Sequence, residues 1–253
     1  MSELEREVQL MRKLAEPFLR SDSLGVLDEL HLQLQSLRQR KEPLLLEVNP
    51  SWPIRTIDSN GGYERNEGGK HKSMHAELVL AWEFRPLGQS SKNAGAHRYV
   101  EVAGKASTVA TLHVSHTQGS STIASWRMEF GDDNSPGAHF HVQIPNTLTS
   151  ESDADDSPKE FQMWPAWLPV PRLPIPAFTP MLALEFVLAE IFQDQWPEHL
   201  DSGPYEIGEW RTLQRRRLSA YFQWQQDNSN SDDEPSPLLA VKNAKPSPEL
   251  FLD

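Results

Sequence analysis

The chain has 253 residues, a net charge of −12, no cysteine, 20 prolines and a hydrophobic share of 38%. The missing cysteine excludes disulfides and thiolate metal sites, and the acidic balance argues against a broad footprint on a nucleic-acid backbone. No apolar run approaches the roughly 18–20 residues that span a bilayer, and the opening Met1-Ser2-Glu3-Leu4-Glu5-Arg6 is charged, unlike a secretory signal, so a cytoplasmic, non-membrane protein is expected.

Over residues 3–16, Leu4, Val8, Met11 and Leu14 share one helical face, which Pro17 and the Ser21–Gly25 stretch interrupt. A second helix is expected from Asp22 or Ser23, carrying Leu27, Leu30, Leu34 and Leu37 and ending on Arg38–Lys41, cations that suit the negative end of a helix. The leucine repeat is too short for a coiled coil. Residues 1–41 therefore read as a helical hairpin packed on the body, in preference to a free partner-binding arm. Leu44–Val48 reads as an edge strand that stops at Asn49-Pro50. Residues 49–73, with Gly61-Gly62 and Gly68-Gly69, read as a loop; neither glycine pair sits between a strand and a helix as a phosphate-binding loop would.

A sheet is expected over residues 75–145. Ala76, Leu78, Leu80, Trp82 and Phe84 alternate with His75, Glu77, Val79, Ala81 and Glu83, the period of a half-buried strand. His97–Ala103 and Ala106–His116 follow, with Gly104-Lys105 as a tight turn or as a bulge in one long strand. A three-residue connection at Gln118–Ser120 would set His113 opposite Ser125 and Val109 opposite Glu129. A two-residue connection would turn Leu112 to the polar side. Thr122–Phe130 puts Ala124, Trp126, Met128 and Phe130 on one face and Ser125, Arg127 and Glu129 on the other. After the turn-rich Gly131–Gly137, Phe140, Val142 and Ile144 oppose His139, His141 and Gln143. Symmetric closure would set Glu129 opposite His139 and Arg127 opposite His141.

Residues 151–157 are an acidic loop. Trp164–Pro180 interleaves six prolines with large apolar residues, a pattern that suits a strap across the core better than a free polyproline ligand. Met181–Trp196 reads as a helix apolar nearly all round, packed on the greasy face of the sheet and ended by Trp196-Pro197. Tyr205–Gln226 reads as a more polar helix whose Arg211, Arg215, Arg216 and Arg217 form a solvated face paired with carboxylates. Residues 227–253 read as a disordered acidic tail. The expected fold is a single α+β domain over residues 1–226. In it an antiparallel meander of four or five strands packs under C-terminal helices (158–226 with the strap), beside an N-terminal helical hairpin.

The polar sheet face carries the candidate chemistry: Arg127, Glu129, His139 and His141. One reading is a divalent metal site (zinc, iron or manganese) with His139, His141 and Glu129 as ligands, the two rings roughly 7 Å apart along a strand. His139-x-His141 is similar to the first motif of the cupins, but Pro145-Asn146 stands where the cupin pattern expects a glutamate, so no membership follows. Arg127 beside the pair would also repel a cation. A second reading is a hydrolase acting on phosphodiesters, with Glu129 as base, a histidine as acid and Arg127 against the phosphate. In side-chain types it resembles small microbial ribonucleases, an analogy of chemistry only. The third is a binding or accessory protein whose polar face meets a small molecule or a protein partner, with ordinary cross-strand pairs on it.

Overall fold

The computed structural model describes residues 3–37, 42–59, 73–86, 100–116, 119–130, 140–144, 147–150, 159–162, 172–174, 179–203, 205–230, 236 and 240–241. The chain is a mixed α+β protein. Helices α1 (Glu3–Leu14) and α2 (Ser21–Leu37) open it, joined through a 3-10 turn at Glu16–Phe18. The strands follow: β1 (Leu44–Glu47), β2 (Ile54–Arg55), β3 (Met74–Pro86), β4 (Val100–His116), β5 (Gly119–Phe130), β6 (Phe140–Gln143), β7 (Thr147–Ser150), β8 (Lys159–Gln162) and β9 (Arg172–Pro174). Helices α3 (Pro180–Phe192), α4 (Gln195–Asp201) and α5 (Tyr205–Ser229) close it. The main sheet runs β1-β3-β4-β5-β6-β9, with β2 paired to β3 beyond β1; β7 and β8 form a separate pair. All these pairings are antiparallel.

The N-terminal hairpin is a packed element. Acidic Glu3 and Glu5 lie in the first turn of α1 and basic Arg12 and Lys13 in its last, each sign against the opposite end of the helix dipole. Leu4, Val8, Leu10, Met11 and Leu14 are buried, as are Leu27, Leu30, Leu34 and Leu37 of α2. The apolar sheet face supplies Leu78, Leu80, Trp82, Phe84, Ala106, Ala110, Leu112 and Met128 to the same core. Helix α3 lies against it with Met181, Leu184, Val187, Leu188 and Ile191 fully or almost fully buried. Trp82 Nε1 donates to Thr108 Oγ1 at 3.1 Å, so the indole is buried without leaving its polar atom unpaired.

Several expectations are corrected. The loop expected over residues 49–73 contains β2, with Ile54 opposite Leu78 and Arg55 opposite Glu77. That stretch is pinned because Ile54 and Thr56 are buried and Ala76 N donates to Thr56 Oγ1 at 2.9 Å; residues 60–72 lie outside the described residues. Of the two readings of Gly104-Lys105, the bulge in one long strand holds and the tight turn does not: β4 is continuous there and the β3–β4 register shifts between Trp82 and Phe84.

The β4–β5 register also differs: His113 pairs with Thr122, and Val109 with Arg127. His116 pairs with Gly119, so only two residues separate the paired ends. By parity that would misplace Leu112. An irregularity between Leu112 and His113 restores it, because Leu112 faces Ala124 while His113 faces Thr122, leaving Ile123 as the extra residue.

Helix α3 ends at Phe192, where Gln193 takes a positive φ of 28°, and Trp196-Pro197 falls inside α4. Of the proline-rich strap, Arg172–Pro174 joins the sheet as an edge strand and residues 163–171 and 175–178 lie outside the described residues. Helix α5 runs on to Ser229. Ala240 is buried and Val241 packs against the core, so the tail touches the body there; residues 231–235, 237–239 and 242–253 lie outside the described residues. Among the arginines of α5, Arg217 is buried rather than solvated and pairs with Glu7, while Arg216 pairs with Glu3 and Arg211 with Asp201.

Candidate functional site

Alternation along β3, β4, β5 and β6 turns one set of side chains away from the helices. The register then sorts that set into rows. Ala81, Ser107, Glu129 and His141 form one row; Val79, Val109, Arg127 and Gln143 the next. Glu77, Thr111 and Ser125 form a third, and His75, His113 and Thr122 a fourth. The expected partners of Glu129 and Arg127 are therefore corrected. Glu129 stands opposite His141, and Arg127 opposite Gln143. A displacement of two residues keeps every side chain on its face and changes only its neighbour. His139 lies outside the described residues.

His141 Nε2 lies 3.2 Å from Glu129 Oε2, and Arg127 Nη1 donates to Glu129 Oε1 at 3.3 Å. The Gln143 amide nitrogen is also 3.2 Å from His141 Nε2. One ring nitrogen cannot donate to the carboxylate and accept from the amide at once, and the carboxylate is the stronger partner. The hydrogen bond with His141, helped by the Arg127 charge, holds the Glu129 carboxyl below its ordinary range against the opposing effect of burial. Exposure separates the three: the side chain of His141 is 1% exposed, Glu129 22% and Arg127 53%.

Among the described residues no group of three or more histidine and carboxylate side chains is arranged to hold a metal ion. Glu129 and His141 instead engage each other, with Arg127 alongside. Of the three expected metal ligands, Glu129 and His141 are in contact with each other, and His139 lies outside the described residues. Two surface clefts lie elsewhere. One of ≈590 Å³ is lined by Gln33, Leu44, Leu45 and Glu47, and one of ≈80 Å³ by Asp22, Val26, Trp52, Pro53 and Arg55.

A second polar cluster, not singled out from the sequence, occupies the row at the Met74 end. The His75 and His113 rings stack across the strands, centroids 5.1 Å apart and 18° between planes. His75 Nδ1 is 3.2 Å from Asp58 Oδ1, and Glu77 takes Arg55 Nε at 2.8 Å. Both histidines were legible as polar-side residues, but nothing local aligns His75 with His113: the strands holding them are joined through a long connection. Asp58 and Arg55 fall in the stretch whose sequence reads as a loop. Compared with known proteins, the chain matches no family model, no curated protein and no solved structure.

Proposed function

We propose that the polar sheet face is a binding surface for a small anionic ligand or a carboxylate-bearing segment of a partner protein, with Arg127 as its exposed contact. The observation that supports this reading is the unequal exposure of one hydrogen-bonded group. Glu129 and His141 are committed to each other, and the guanidinium at their rim is 53% exposed with donors left over. A general acid must reach the substrate's leaving group, and His141 is buried. A guanidinium that spends one N–H on Glu129 still offers a planar fork to a carboxylate or phosphate. Ser125 and Thr111, one row away, add hydroxyls beside it.

The test is an NMR titration of the full chain with acetate, citrate and inorganic phosphate, followed through the Arg127 side chain and the Ser125 and Thr111 amides. Saturable shifts that vanish in Arg127→Ala and weaken in Arg127→Lys support the reading; shifts unchanged in Arg127→Ala overturn it. A parallel assay with a phosphodiester substrate covers the hydrolytic alternative. Turnover that is lost in both Glu129→Gln and His141→Gln would replace the binding reading with catalysis by Glu129 and His141, Arg127 facing the phosphate.

A further inference from the structure

The stacked histidines sit where three parts of the fold meet. Residues 53–59 run along the outer edge of β3, held by Thr56 N to Ala76 O at 3.0 Å and Ser59 N to Met74 O at 2.7 Å. The same segment is tied to the connection before α2, because Ile57 N donates to Phe18 O at 2.9 Å and Arg20 N to Arg55 O at 3.0 Å, and to the start of α2 by Arg55 N donating to Ser23 Oγ at 2.8 Å. Side chains close the corner. Asp58 lies between His75 and Arg20, whose Nη2 is 3.9 Å away. Glu77 lies between Arg55 and His113, whose Nε2 is 3.7 Å away, and Thr122 Oγ1 reaches His113 Nδ1 at 3.3 Å. Among the described residues, the charged groups facing the two rings are thus Asp58 and Glu77 against Arg20 and Arg55. Those four carry two charges of each sign when both rings are neutral.

We propose that His75 and His113 form an acid-released latch, which fastens residues 53–59 and the start of α2 to the sheet while both rings are neutral and lets go when they gain protons. Two protonated rings would face each other across 5.1 Å in a half-buried corner that already holds two guanidinium groups. Burial lowers the proton affinity of both rings below the ordinary 6.5, helped at His75 by the His113 charge and Arg20 and at His113 by Arg55, and Asp58 and Glu77 only partly oppose this. The sign follows. Below pH 6.5 an opened corner binds protons that the closed one refuses, so opening becomes easier as the pH falls toward the lower closed-state values. What opens is the outer edge of β3 from Met74 to Leu78, which residues 54–59 otherwise pair.

Amide hydrogen exchange of the full chain, corrected for the intrinsic pH dependence, tests this at pH 7.5 and 5.5. Thr56, Ile57 and Ser59 report the corner, and Ala183, bonded to Thr179 O in the first turn of α3, reports the body. Each ring that stays neutral when closed contributes up to about a tenfold loss of protection over this interval. The wild type should therefore lose protection at the three corner amides, by up to about a hundredfold with both rings, while Ala183 holds. The His75→Gln, His113→Gln double variant should lose none. If that variant does not fold, His113→Gln alone should show half the response on a logarithmic scale. Corner protection that is insensitive to pH, that falls equally in the variants, or that falls in step with Ala183 overturns the latch.

Discussion

Two glutamates, one in the helix layer and one on the sheet, are pushed in opposite directions by their surroundings. Glu185 on α3 lies where α1 and α5 converge, and burial raises its carboxyl above the ordinary range, with Glu7 adding to the effect and a hydrogen bond from Trp210 only partly opposing it. Glu129 is part-buried too, but His141 and Arg127 answer its charge and its carboxyl is lowered. The buried Arg217 is taken by another partner: it pairs with Glu7, both side chains 1% exposed, and Gln214 Nε2 donates to the same Glu7 oxygen at 3.0 Å. Burial raises a carboxyl's proton affinity, and only donors or cations strong enough to outweigh it, as at Glu129, lower it instead. The helix-layer pair is therefore expected to matter more to stability than the sheet-face group.

The comparison breaks first at Arg217. Arg217→Ala leaves the Glu7 carboxylate buried without its partner and should cost about 3–5 kcal/mol in urea unfolding. A loss below about 1 kcal/mol, the range of a surface pair, would mean that the helix-layer pair is no more structural than the one on the sheet.

Met128 and Glu129 sharpen it next, since they are neighbours on opposite faces. Met128→Ala should cost about 2–5 kcal/mol, because the side chain is buried in the core. If Glu129→Ala costs as much, the two faces are not distinct in the way alternation requires.

A smaller effect is expected from Glu129→Gln, and it depends on pH. The folded-state pKa of Glu129 lies below its ordinary 4.5, so its contribution is complete above that value and is lost as the pH falls through the lower folded one. The melting temperatures of wild type and Glu129→Gln should differ most near neutrality and converge as the pH falls below 4.5 and through the lower folded value. A difference that grows on acidification would reverse the sign and exclude the His141 hydrogen bond as its cause. Smallest of all is Arg127→Ala, expected within about 0–1 kcal/mol of wild type by denaturation because the side chain is more than half exposed. A larger loss would make the arginine structural and remove the basis for assigning it to binding.

Much of the architecture was legible because burial imposes a period on the residues that undergo it. The spacing of Leu4, Val8, Met11 and Leu14 identified α1, and the run from Met181 identified the helix under the sheet. Its end was not legible: no glycine marks the break at Gln193, where the chain adopts a positive φ without one. The candidate cluster was legible in composition and illegible in pairing. Of the four residues expected together, Glu129, Arg127 and His141 do meet, with Glu129 against His141 and Arg127 beside Gln143, and His139 lies outside the described residues.

By itself the sequence determined which side chains share a face, since period-two alternation in β3 and β5 and the helical stripes depend only on neighbours along the chain. Which residues meet across strands depends on how many residues each connection consumes and where a bulge adds one. Ile123 shows how one residue, placed by the β4–β5 pairing, corrects the parity of the strand that follows it. His75 and His113 show the same over a longer span. They come from strands whose register shifts between Trp82 and Phe84, and only the assembled sheet stacks their rings. Burial of Arg217 was likewise decided in three dimensions, because its partner Glu7 lies 210 residues earlier and meets it only where α1 packs on α5.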